Sequence, residues 1–169
     1  MCLTTAAERI EVAPVVKVVV IGFGNTLRGD DALGPMAAEA LGRRFAGRSV
    51  QTITRHTLTP ELSALLAEAE HAIFIDASHG GEPGVTSESH VVPDPEAEVQ
   101  LVHFLDPKAL ITWTRAVYGC FPKAVLLSAM AENLDFGERL SPAMERSLEE
   151  IVQRAAARIE ACLAEGAQG

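Results

Sequence analysis

Basic residues are scarce in this chain. Only 14 Lys+Arg stand against 23 Asp+Glu in 169 residues, a formal net charge of −9, and no basic run exceeds the pair Arg43-Arg44. A nucleic-acid surface needs clustered Lys and Arg to displace phosphate counterions, so the composition argues against a nucleic-acid partner. Long apolar runs are missing too. The strongest, Val15 to Ile21, is interrupted by Lys17 and is far shorter than the roughly 20 residues of a membrane helix. The stretch before Pro14 carries Glu8, Arg9 and Glu11 and so has no apolar core of a secretory signal. Cysteines number three (Cys2, Cys120, Cys162), scattered and without CxxC spacing. That argues against a disulfide framework or a cysteine-based zinc site, and the expected compartment is the reducing cytoplasm.

Familiar hydrolytic motifs are also absent. No G-x-S-x-G elbow and no HExxH helix occurs, and Ser78, Ser128 and Ser141 lack a nearby base signature. Cys120 lies in Tyr118-Gly119-Cys120-Phe121-Pro122, where nothing marks it as activated. Gly22-Phe23-Gly24 invites a dinucleotide reading, but GxGxxG would need glycine at position 27, where Leu27 stands. Turn chemistry and close backbone packing explain these glycines better.

What remains is an ordinary globular composition, 48% hydrophobic and 22% charged, at a length that suits one domain. Residues 1–169 are expected to form it, with 1–14 and 165–169 as flexible ends. Val15 to Ile21 is β-branched almost throughout, as in a strand buried on both faces. Pro35 to Phe45 reads as a helix, Val50 to His56 as a strand, and Thr59-Pro60-Glu61 as the start of a helix to about Ala69. His71 to Ile75 is a second buried strand ending at Asp76, and Val85 to Val92 alternates as another. Asp106-Pro107 opens a helix to about Tyr118, Val125 to Ala129 is a short strand, and Ser141-Pro142 opens the last helix. Its stripe of Leu148, Ile151, Val152, Ala155, Ile159 and Cys162 has helical spacing. Strands alternating with helices predict a three-layer α/β/α sandwich on a mostly parallel, mixed sheet of about five strands.

In such folds chemistry gathers beyond the carboxyl ends of the strands. Three loops qualify: Gly22 to Asp31, Arg55 to Pro60, and Asp76 to Gly84. Asp30-Asp31 in isolation reads as solvated loop charge or as acids favouring a helix N-terminus. Asp76, straight after a buried strand, suits a loop cap as well as a site. His56 and His79 follow strands, and His103 precedes a helix. A lone loop histidine is more often surface than ligand. Two carboxylates converging with an imidazole would instead form an O,O,N site with open positions, suited to zinc, nickel or another divalent ion.

Taken in order, these segments resemble the hydrogenase maturation proteases, endopeptidases that trim the large subunit of [NiFe] hydrogenases. Val20-Ile21-Gly22-Phe23-Gly24-Asn25-Thr26-Leu27-Arg28-Gly29-Asp30-Asp31 is similar to that family's opening GxGNxLxxDD/DE signature. Ile75-Asp76-Ala77 followed by Gly81-Glu82-Pro83-Gly84 resembles its strand-end aspartate and downstream PG. His103 ahead of Asp106-Pro107, and Gly137-Glu138-Arg139-Leu140-Ser141-Pro142 before the last helix, complete the series, which runs from about residue 15 to 160.

The resemblance implies a phosphorylase/hydrolase-like α/β/α fold and a metal-contacting, catalytic set of Asp31, Asp76 and His103. It implies nickel carried by the large-subunit precursor rather than a resident metal, with no tightly bound organic cofactor, and a monomer rather than a stable oligomer. Where many members have a DGG-type motif, this chain has Arg55-His56-Thr57-Leu58-Thr59-Pro60-Glu61, similar to the H-x-L-x-P-E variant of members serving NAD-linked, bidirectional hydrogenases. Gly24, Asn25, His56, Pro60 and Glu61 are accordingly expected to contact substrate. His79 has no counterpart in the resemblance. Two other readings stay open: a hydrolase with its own zinc acting on small amides or peptides, and a non-cleaving chaperone of the large subunit.

Overall fold

The computed structural model describes residues 16–96 and 105–165. Alternation along the first strand, β1 (Val18–Phe23), sets the layers. Val18 and Val20 point to one side of the sheet, where α1 (Leu33–Arg44) and α4 (Pro142–Glu165) bury Ala37, Ala38, Leu41, Ile151, Ala155 and Ile159 against it. Val19 and Ile21 point to the other side, where α2 (Leu62–Glu68) and α3 (Pro107–Tyr118) supply Leu62, Leu66, Leu110 and Ile111. Ile21, Leu41, Leu66, Phe74 and Leu110 are wholly buried, each stabilising the fold by roughly 1.5–3 kcal/mol of apolar transfer. The three-layer α/β/α expectation holds.

Among the described residues the sheet has five strands in the order β2-β1-β3-β5-β4. Here β2 is Val50–Arg55, β3 His71–Ser78, β4 Thr86–Val91 and β5 Lys123–Met130. β1 pairs in parallel with β2 and β3, and β3 in parallel with β5. β4 alone runs antiparallel, on β5 at the edge, because the short 79–85 connection has no room for a helical crossover. The chain leaves β1 towards β2 on one side and returns to β3 on the other. The β1–β3 junction is therefore the switch point, beyond which ligand crevices form in open α/β sheets.

Three local expectations need correction. β3 does not end at Asp76 but runs on through Ser78, since β5 continues to pair with it as far as Ser78↔Met130. The second helix begins at Leu62 rather than at Pro60, and no side chain caps it. Leu58 is buried and held by Leu105, whose N–H donates to its carbonyl at 3.1 Å, and the following residues make a turn before the helix. The Thr59 and Pro60 carbonyls accept from the Leu62 and Ser63 N–H groups at 3.1 and 3.0 Å. The helix read from Pro35 starts at Leu33, while those read at Asp106-Pro107 and Ser141-Pro142 start as expected. Asp106 Oδ1 accepts from Ala109 N at 2.7 Å, and Ser141 Oγ accepts from Met144 N at 3.2 Å. No helix among the described residues is long and apolar enough to cross a membrane.

Candidate functional site

β1 pairs with β3 only as far as Gly22↔Ile75, so the last residues of β3 outrun it and keep β5 as their one neighbour. Asp76 is the first of these. Past its own end β1 turns away through 24–31, and an open cleft of about 500 Å³ fills the gap. Phe23, Gly24, Asn25, Arg28 and Asp31 line it from the β1 side, His56 and Thr57 from the end of β2, and Asp76, Ala77, Ser78 and His79 from β3. A shallower groove of about 220 Å³ adjoins it past Gly24, Asn25 and His56, towards Pro35 and Glu39 on α1.

The 24–31 loop owes its path to a few fixed contacts. Gly24 sits at φ 141°, in a region that favours glycine, and a Cβ there would stand 2.0 Å from the Asp31 carbonyl oxygen. Asn25 Oδ1 accepts from Leu27 N at 2.9 Å, and the Asn25 N–H donates to Asp31 Oδ2 at 2.8 Å. One oxygen of Asp31 is thus held by backbone, which orients the carboxylate. A 3₁₀ turn, Gly29–Ala32, carries both acids of the pair.

Asp30 faces the other way and is wholly buried. Its Oδ2 accepts from Glu132 N (2.8 Å), Asn133 N (3.0 Å) and Ser141 Oγ (2.9 Å), and its Oδ1 from Ser141 N (2.6 Å). Burial by itself would raise its pKa. The bonds from Ser141, Asn133 and Glu132 outweigh burial and hold Asp30 below the ordinary aspartate value. Asp30 is the clamp between the β1 loop and the β5–α4 loop, leaving Asp31 for the cleft.

Asp76 behaves in the opposite sense. Burial at the end of β3, reinforced by the negative charge of Asp31 and only partly offset by a hydrogen bond from the Ala77 backbone N–H, pushes its pKa up to about 7. At neutral pH it is therefore divided between carboxylic acid and carboxylate. Such a group exchanges protons at the working pH of general acid–base chemistry, and the pair offers hard oxygen donors to a cation.

The structure thus brings Asp31, Asp76, Gly24, Asn25 and His56 to one cleft and adds His79. Pro60 and Glu61 are not among the residues lining it; Pro60 accepts from Ser63 Oγ at 2.6 Å in the turn before α2. His103 lies outside the described residues. No group of three or more His, Cys, Asp or Glu side chains suited to a metal ion occurs among the described residues.

No protein-family model matches the chain, and no curated protein matches it. Solved structures do. The hydrogenase maturating endopeptidase HybD from E. coli superposes with a TM-score of 0.67 at 23% identity, covering 85% of this chain and 92% of that one. The [NiFe] hydrogenase maturation protease HycI from Thermococcus kodakarensis gives 0.66 at 24% identity, over 84% and 91%. A hydrogenase 2 maturation peptidase from a Thaumarchaeota archaeon gives 0.63 at 22% identity, over 85% and 98%. The chain has the fold of the hydrogenase maturation proteases.

Sequence reasoning overlooked Arg28 and Thr57 as cleft residues, and it gave Asp30 no role of its own. Arg28 carried one usable signal, a lone cation placed between the signature's glycines and its acids. Thr57 carried none.

Proposed function

We propose that this protein is an endopeptidase that removes the C-terminal extension from a nickel-loaded [NiFe] hydrogenase large-subunit precursor. The observation that carries the reading is the meeting of Asp31 and Asp76 in one open cleft at the β1–β3 switch point, on a fold shared with hydrogenase maturation proteases. The ordered sequence resemblance, which adds His103, supports it.

In this reading nickel is part of the substrate. Asp31, oriented by the Asn25 N–H, and Asp76 recognise the metal presented by the precursor. A cation between them favours the ionised pair and draws the proton off Asp76, so its arrival converts a half-protonated pair into a ready ligand set. The chain flanking the scissile bond lies along the groove past Gly24, Asn25 and His56. Hydrolysis needs a proton removed from the attacking water and one delivered to the leaving nitrogen as the C–N bond breaks. Ionised by the cation, the Asp76 carboxylate is placed to accept the proton of that water and to return it to the leaving nitrogen.

Mass spectrometry of nickel-loaded precursor, incubated with wild type and with Asp31→Asn, Asp76→Asn or His103→Ala, tests the reading. The expected result is a truncated product with wild type and strongly slowed cleavage with each variant. An unchanged precursor mass with wild type would overturn the protease and favour the chaperone. Stoichiometric zinc retained by the purified protein through dialysis would favour the resident-metal hydrolase.

A further inference from the structure

The loop between β5 and α4 holds apolar side chains in water. Phe136 is 85% exposed, Leu134 37%, and Leu27 on the facing loop 54%. Scattered exposed apolar residues need no explanation, but a group of them on two joined loops does. The loops are firmly joined: Gly29 N donates to Gly137 O at 2.8 Å, Gly137 N to Leu27 O at 3.0 Å, and Asp30 N to Asn133 O at 3.0 Å. The buried Asp30 carboxylate takes the Glu132 and Asn133 N–H groups, and Asn133 Oδ1 takes the Asp135 N–H at 2.8 Å. The Arg28 guanidinium stands over the Phe136 ring at 5.7 Å, and Arg28 also lines the cleft. The platform therefore borders the site through a shared residue.

We infer that this platform is a second contact for the protein substrate, seating the folded body of the molecule whose C-terminal extension enters the cleft. The inference rests on the proposed endopeptidase reading. Two observations select that occupant. A cleft of about 500 Å³ accommodates a short length of chain, whereas a specific protein interface buries about 800 Å² on each partner, so a folded substrate must touch surface beyond the cleft. The platform also has a charge to match. Glu132, Asp135 and Glu138 outnumber Arg28 and Arg139 on these loops, and Arg28 is engaged with the Phe136 ring. The matching face on the substrate is apolar with a basic rim, and Phe136, an aromatic preorganised on a pinned loop, is its anchor.

The test uses full-length protein carrying Leu134→Ala with Phe136→Ala, beside Phe136→Leu as the conservative variant. Cleavage of nickel-loaded precursor is followed over a concentration series, and sedimentation of each protein alone is measured in parallel. The double variant is expected to raise KM about tenfold while kcat stays within about twofold, as for loss of one interface anchor, and Phe136→Leu keeps most of the affinity. An unchanged KM in the double variant, with wild type cleaving, overturns the platform and leaves the endopeptidase reading intact. A wild-type dimer that the double variant loses assigns the face to a second copy of this chain and overturns the inference. Failure of wild type to cleave removes the endopeptidase reading and this inference together.

Discussion

Asp30 and Asp31 are adjacent in the chain and serve opposite ends of the structure. Asp30 is wholly buried and takes four donors from the 132–141 segment, while Asp31 is half-buried in the cleft and takes the Asn25 N–H. A 3₁₀ turn makes this possible, because successive side chains on it diverge by about a third of a turn. One acid can then anchor the loop that aims the other.

Asp30→Ala should destabilise the protein by about 1–3 kcal/mol, since it removes a buried charged acceptor shared by three backbone N–H groups and Ser141 Oγ. Urea denaturation at pH 7 measures this. Because Asp30's folded pKa is depressed, its contribution exists above the unfolded value and is lost as pH falls through the folded one. The wild-type–variant gap should therefore narrow in acid. A gap that stays constant down to pH 2 would contradict the assignment.

The pH dependence at Asp76 has the reverse sign. Its folded pKa, about 7, lies well above the ordinary aspartate value, so the fold favours the protonated form. That contribution is fully present below the unfolded pKa and is lost as pH rises through about 7. In metal-free protein the unfolding free energy should drop on the order of 2–4 kcal/mol between pH 5 and 8. Asp76→Asn should flatten that slope and be the more stable protein at pH 8. Carboxyl NMR titration supplies the direct check: an Asp76 midpoint near 4 would refute the raised pKa.

Gly24→Ala should disturb the site more than the fold. The new Cβ must move the Asp31 carbonyl, so the Asn25 N–H contact to Asp31 is lost or lengthened. Cleavage should fall at least tenfold, an amount that misplacement of a reacting group by a fraction of an ångström readily produces. Thermal unfolding beside the cleavage assay separates this from simple loss of the folded protein.

Asp31→Asn and Asp76→Asn should each cut the cleavage rate by roughly 10²–10⁴, the range of a lost general acid–base or charge-stabilising group. Stability should respond differently in the two. Asp76→Asn relieves a buried charge, whereas Asp31→Asn replaces an acceptor that the Asn25 N–H uses. Equal cleavage by wild type and both variants would remove the acid pair from the reaction.

Much of the architecture was legible because it is written in local patterns. Val18 to Ile21 alternates faces whatever surrounds it, Asp106-Pro107 carries its own cap, and Ile151, Ala155 and Ile159 mark one side of a helix by spacing alone. Asp76 was legible as a strand-end acid, although its strand runs on, because the length of β3 depends on how far β5 accompanies it. The start of α2 was misread at Thr59-Pro60 because the hold of Leu105 on Leu58, a contact distant in sequence, governs where the turn falls.

By itself, then, the order of residues determined the alternation of strands and helices, the two apolar faces of the sheet, and the short set of acids and histidines at strand ends. Such properties follow from side-chain periodicity and backbone preference within a few residues. Which acid of Asp30-Asp31 is buried, the rise of the Asp76 pKa, and the entry of Arg28 and His79 into one cleft were decided by the tertiary structure alone. Each depends on burial and on donors brought from far along the chain: the Glu132 N–H that binds Asp30 lies 102 positions away. Electrostatic character belongs to that assembled environment, and no stretch of sequence carries it.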